Sequence, residues 1–502
     1  MKFFIKPTDS STLNSSSNSI RLSFWSLGMA SLALFFLYSC IQNVPGSTDI
    51  AQSEKAPAMS DKKADMMGKE AGMMKKEMGG AESSGEPAEK KADLGKSGSE
   101  KNVALQAAAE HEALFAESKF PSAATCGTCH PKQYKEWSVS QHSYSQLSPV
   151  YLSLSSEINE LSSGSNGDFC LRCHSPIGAN LGESPFMSNL DRHPTSREGI
   201  TCVVCHRLNK TYNKRSGRLA LVQGSLLDPV YGPKGNEEMA RVLKDDAFRV
   251  VTEEGKPGRK IHKEAKQFAS LSQPIFCATC HDVTLFNGFR LEEAFSEYRT
   301  SPAAKRGTTC QDCHMGKEQG VAAGYEVGPG AIVGGKPTKD RKLTSHFFAG
   351  PDYSVIHPGI FPHNAVAQEM ASMREWLQFD HKAGWGTDEF EDKVPEDAKF
   401  PVRWDSVDDR YDARDILTQQ FEHLEYARGL RLEVLRNGYK LDEIVVQKSD
   451  ADGIEFKVKV RNGTDGHNAP TGFTGERLVW LHVVVTDSDG KVVFESGDQD
   501  PN

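Results

Sequence analysis

Ten of the 11 cysteines in this chain of 502 residues fall in five copies of one pattern, Cys-x-x-Cys-His. The copies are Cys126, Cys129 and His130; Cys170, Cys173 and His174; Cys202, Cys205 and His206; Cys277, Cys280 and His281; and Cys310, Cys313 and His314. This is the attachment pattern of c-type haem. Two thiols about one helical turn apart each form a thioether to a porphyrin vinyl group, and the imidazole that follows points at the iron. The spacing therefore predicts five covalently attached c-type haems, with His130, His174, His206, His281 and His314 as proximal ligands. Structural zinc wants four ligands, usually from paired Cys-x-x-Cys units. Pairing 170/173 with 202/205 leaves a histidine after every second cysteine unexplained. A disulfide between residues three apart is geometrically poor and needs no histidine.

Five irons need sixth ligands, and of 16 histidines 11 lie outside the motifs. His142 sits in 131-PKQYKEWSVSQHSYSQL-147, a run compatible with a helix, where Tyr134, Trp137 and Gln141 share a face suited to packing on porphyrin. His346 lies in 344-TSHFFAG-350 beside two phenylalanines, and His467 in 462-NGTDGHNAPTG-472, a Gly- and Pro-rich loop between two strands. His193 and His262 precede the third and fourth motifs by 9 and 15 residues, within reach of a neighbouring haem. These five are the distal candidates. His363 and His357, in 356-IHPGIFPH-363, rank below them, and His111, His381, His423 and His482 read as surface or core. Met315, directly after His314, is badly placed for its own iron and reads as packing.

The remaining cysteine, Cys40, follows a Ser/Asn-rich start carrying Lys2, Lys6 and Arg21 and the apolar run 24-FWSLGMASLALFFLY-38. That run is too short to span a bilayer comfortably. Residues 1–39 read as a bacterial lipoprotein signal, with cleavage before Cys40 and lipid on its sulfur; the alternative is an uncleaved anchor with an incidental cysteine. Either sends the chain out of the cytoplasm, to the cell envelope, facing the periplasm or the cell surface. Residues 40–105 are rich in Ala, Lys, Glu, Gly, Ser and Met and lack aliphatic core material. Such a segment cannot bury enough apolar surface to offset its ordering entropy, so a disordered tether is expected, with a root-mean-square reach of roughly 40 Å. The formal charge of -9 argues against a nucleic-acid partner.

Residues 106–365 are expected to form a mainly α and irregular core of short helices and loops around stacked haems. Residues 366–438 read as helical. Predicted helices cover 365–379 and 411–438, the second with Ile416, Phe421, Leu424, Leu430, Leu432 and Leu435 at helical spacing and Gly438 at its C-cap. After that the period changes to two: 454-IEFKVKVR-461, 477-RLVWLHVVVTD-487 and 491-KVVFES-496 read as strands, the last two joined by a hairpin turn at 488-SDG-490. A small β-sandwich-like domain over 439–502 follows. Three strands are rarely self-sufficient, so the sheet is expected either to continue beyond residue 502 or to be completed by packing on the haem core.

With these residues in place, the run C-G-T-C-H-x-x-x-Y-x-x-W-x-x-S-x-H over 126–142, with 170-CLRCHSP-176 and 198-EGITCVVCH-206, resembles the multihaem cytochromes c typified by the tetrahaem electron acceptor of hydroxylamine oxidoreductase. The stretches 276-FCATCHDV-283, 307-GTTCQDCHMG-316 and 466-GHNAPTG-472 resemble longer, exported relatives with a C-terminal β domain. The resemblance implies bis-histidine haems stacked in close pairs, with His142, His346 and His467 as distal ligands. The fifth motif, the tether and the β domain depart from the tetrahaem type, so substrate and partner do not carry over.

Five haems held within about 190 residues crowd into a globule whose radius of gyration is near ~16 Å, which makes an electron path between redox partner proteins the leading expectation. The alternative is an oxidoreductase acting on a small nitrogen or sulfur compound at one five-coordinate haem. A docking or adhesion role for the β domain is the minor third.

Overall fold

The computed structural model describes residues 2–5, 19–28, 102–103, 105–109, 119–210, 217, 219–285, 287–352 and 363–498. Cys40, nearly all of the expected tether and His111 and His357 lie outside the described residues.

Each Cys-x-x-Cys-His copy falls at a short helix: Ala123–Gly127, Leu171–His174, Cys202–His206, Pro274–Cys277 and Cys310–His314. In the first, second and fourth copies the backbone N–H of the histidine donates to the carbonyl of the first cysteine, at 2.9, 3.1 and 3.0 Å. That i to i+4 bond is one turn of α-helix, the geometry the pattern requires. Between the motifs the chain is not all helix and loop. Short ladders pair Val230–Gly232 with Ala265–Gln267 and Val250–Val251 with Arg259–Lys260 in parallel, and Glu326–Pro329 with Asp340–Leu343 antiparallel. Ladders of two to four residues are too short to show a period in sequence, so these were not foreseen.

The helix expected over 365–379 is two, Ala365–Met370 and Met373–Trp376. Ser372 interrupts them because its side chain caps the second, with Glu375 completing a capping box. The long helix runs Val407–Gly438 from a Ser406 N-cap. Ile416, Leu417, Leu424 and Leu430 are buried along it, and Trp376, Phe379 and Trp404 close over its first half. Arg410 is buried in the same region against Glu391, with side-chain exposures of 4% and 5%. Further along, Gln420 donates to the Tyr144 hydroxyl at 2.9 Å and Leu424 packs with Val139, Tyr144 and Leu147, docking the helix on the motif-bearing core. Among the described residues no helix is long and apolar enough to cross a membrane.

The β domain holds the expected strands as Gly453–Lys457, Val460–Asn462, Arg477–Thr486 and Val492–Ser496, with Tyr439–Leu441 and Val445–Asp450 in addition. Two three-stranded sheets face each other across one core of Ile454, Phe456, Val458, Leu481, Val483 and Val485. Their third strands come from the N-terminus. Lys2–Ile5 pairs antiparallel with Gly453–Lys457, and Ser19–Gly28 pairs antiparallel along the whole of Arg477–Thr486. The sequence reading assigns 1–39 to an export signal and foresees no strand there, and it looks for the missing strands elsewhere. The physical reason for the difference is the alternation of Ile20, Leu22 and Phe24 with Arg21 and Ser23, a two-residue period that a sheet edge accepts.

Candidate functional site

The motif imidazoles are oriented by the backbone. His130 Nδ1 lies 2.8 Å from Gly330 O, His174 Nδ1 3.1 Å from Ser145 O, His206 Nδ1 2.7 Å from Tyr231 O, and His314 Nδ1 3.2 Å from Ala349 O. A carbonyl can only accept, so each Nδ1 carries the proton and each Nε2 presents a lone pair. This is the arrangement of a metal-ligating histidine. The partners lie 200, 29, 25 and 35 residues away, so only the folded chain supplies them. Burial lowers the basicity of His130 and His206 and takes His174 and His314 down to about 4, keeping the rings neutral and ligand-competent at neutral pH.

Two distal candidates stand opposite motif histidines. The rings of His142 and His281 are 6.4 Å apart between centroids, and those of His314 and His467 are 6.3 Å apart and nearly parallel at 13°. An iron between two imidazoles would require about this spacing: a metal–nitrogen bond of about 2 Å and about 1.1 Å from nitrogen to ring centre, taken twice, give roughly 6.2 Å. His467 Nδ1 is held 2.7 Å from Asn468 O, so its Nε2 is free in the same way. His346 repeats the pattern, with Nδ1 2.9 Å from Thr344 O and Glu136 accepting from its backbone N–H at 2.8 Å. Burial brings His142 and His346 to about 3, and His206 and His130 lie within electrostatic range of His346. His262, lowered to about 4 by burial, lies within range of His130 and His206. His193 is not brought together with the others. It caps the helix Pro194–Arg197, its Nδ1 sitting 2.7 Å from Thr195 Oγ1.

The five motifs touch one another. Cys202 lies near Cys126, Cys280 near Cys173 and Cys310 near Cys277, and these neighbours together with burial push the first two thiols well up and raise Cys310. Cys205, raised to about 12 by burial, lies within electrostatic range of Cys280. The first motif thus lies against the third and the second against the fourth, while the fourth also meets the third and fifth: the array is branched, not linear. Buried side chains brace it. Glu198, whose carboxyl burial raises, accepts from Ser122, from Ala123 N at 2.9 Å and from Thr201 at 2.8 Å, tying the start of the first motif helix to the N-cap of the third. Gly217, at φ +68°, approaches Cys173 so closely that a Cβ would collide with its sulfur, and its N–H donates to Thr279 O at 2.7 Å, joining the second and fourth motifs.

Residues 125–207 match the family model of cytochrome c554 and c-prime. The match covers the first three motifs. It supports a multihaem c-type cytochrome that binds haem covalently and takes part in electron transfer. No curated protein and no solved structure matches this chain.

The residues present fit covalent haem in each place where fit can be tested. No cysteine among the ten is in a disulfide, and among the described residues no cluster of three His, Cys, Asp or Glu side chains is arranged to hold a bare metal ion. Bound there, haem supplies one-electron chemistry at an iron that the imidazoles hold. The site also holds Tyr151, which the sequence does not suggest, and His363, which ranks there among the lower candidates. Tyr151 lies flat on the His174 ring, 3.9 Å between centroids at 5°. His363 is buried against Trp137 and Tyr144 with no partner at Nε2. Tyr151 has no local signal, sitting 19 residues before the first cysteine of the second motif.

Proposed function

We propose that this chain is an exported, lipid-anchored pentahaem c-type cytochrome that carries electrons between redox partner proteins of the bacterial cell envelope. The observation that carries the reading is the mutual contact of the five attachment motifs, Cys126 with Cys202, Cys173 with Cys280 and Cys277 with Cys310. Groups attached at neighbouring thiols would lie close together, and the facing imidazoles of His142 with His281 and His314 with His467 would hold an iron between them. Lipid on Cys40, added on a cleavage that would take the strands Lys2–Ile5 and Ser19–Gly28 away from the β domain, and the tether over 40–105 would keep the core near a membrane with freedom to reach partners. The test is purification of the haem-loaded protein from a periplasm competent for haem attachment. Five haems per chain by mass and absorbance, and rapid reduction of all five by one small reductant, support the reading; fewer than five, or haems that do not exchange electrons, sink it. Loss of membrane association in Cys40→Ala tests the anchor.

A further inference from the structure

The loop that carries His467 belongs to the β domain, between strands Val460–Asn462 and Arg477–Thr486, yet its ring stands 6.3 Å from His314 of the fifth motif. It is held there by the segment that leads into that motif. Glu297, on the helix Ala294–Thr300, accepts from Asn468 N at 3.0 Å and from Thr471 Oγ1 at 2.6 Å, the residues that flank His467 on its C-terminal side. On the other side Ala303 N donates to Asp465 O at 3.2 Å and Arg306 pairs with Asp465 at 2.6 Å. The Arg306–Asp465 pair is more than half exposed and contributes little. Glu297 is half-buried and receives two charge-assisted bonds, so it carries the clasp. The fifth motif meets the others through Cys277 of the fourth, which makes it the end of a branch.

Resting on the pentahaem reading, we infer that the β domain closes the terminal branch of the array: Glu297 is a positioning residue that seats His467 as the second axial ligand at the fifth site, and β-domain docking thereby sets the coordination of that iron alone. The residues predict two states of one site, six-coordinate with the loop clasped and five-coordinate with it released, while the other four sites are unaffected.

The experiment is electron paramagnetic resonance and carbon monoxide titration of the full-length haem-loaded protein with Glu297→Ala, Glu297→Gln, Thr471→Val and His467→Ala. His467→Ala is expected to convert one iron in five from low to high spin and to add one equivalent of carbon monoxide binding over wild type. Glu297→Ala is expected to do the same in part, Thr471→Val to a smaller extent, and Glu297→Gln, which keeps an acceptor oxygen, to restore the wild-type spectrum. Thr471→Val keeps the test open should Glu297→Ala fold poorly. If His467→Ala shifts the spectrum while Glu297→Ala and Thr471→Val leave it at wild type, the clasp is overturned. If His467→Ala itself changes nothing, the assignment of His467 falls. A wild-type protein with fewer than five haems would overturn the pentahaem reading instead.

Discussion

His142 is the most exposed point of the axial-ligand argument, because its assignment to the fourth motif rests on a distance. Its ring faces His281 at 6.4 Å, against the roughly 6.2 Å that one iron between two imidazoles requires. His142→Ala removes one axial ligand and leaves the other four sites their own. The expected spectrum therefore gains one high-spin iron over wild type, a fifth of the total, and the reduced protein binds one further equivalent of carbon monoxide. His142 is packed against Phe348 at 4.4 Å, so truncation also leaves a cavity, with a stability loss of about 2–5 kcal/mol readable in a denaturant titration. His142→Met separates the two effects: thioether ligation keeps the site low spin and raises the potential of one haem. An unchanged spin count in His142→Ala, with five haems present and a cooperative unfolding transition, would refute the pairing and with it the use of ring spacing to assign ligands.

Three further outcomes follow from the same structure. Cys277→Ala with Cys280→Ala removes the fourth attachment site, the junction of the array; stopped-flow reduction should turn from one coupled course into separate phases, and an unchanged course would argue for a linear path that bypasses it. Acid should destabilise the fold in a defined window. Burial places His174 and His314 at about 4 and His346 at about 3, against 6.5 for the free side chain, so on acidification the unfolded chain binds these protons first. The stability they contribute is full above pH 6.5 and is lost as pH falls toward 4, by about 1.4 kcal/mol per pH unit for each such group, and a melting temperature that holds or rises over that range would contradict it. Glu391→Gln strips the charge partner from buried Arg410 and should lower stability by about 2–4 kcal/mol in urea titration without changing the haem spectrum.

How far the chain could be read from its letters depends on the range of the interaction. Cys-x-x-Cys-His is a one-turn device, and in three of its five copies the local i to i+4 bond forms as the spacing demands, so these turns were legible. Long amphipathic spacing announced Val407–Gly438, and two-residue alternation announced Arg477–Thr486. The broken helix at Ser372 was visible in principle as a capping box, Ser372 with Glu375, inside an apolar run. The strand at Ser19–Gly28 was hidden because the same apolar residues also satisfy the pattern of an export signal, and pairing with Arg477–Thr486 is a contact between the two ends of the chain.

What the sequence by itself determined is the chemistry: five thiol pairs with adjoining imidazoles, which lie within five residues of one another and need no fold to be recognised. What only the tertiary structure decided is which imidazole faces which. His142 reaches the fourth motif, not the first that it follows, and His467 crosses from the β domain to the fifth. His193, near the third motif in sequence, turns to cap a helix. Each of these ring pairs joins residues more than a hundred positions apart, and no local period or spacing encodes it.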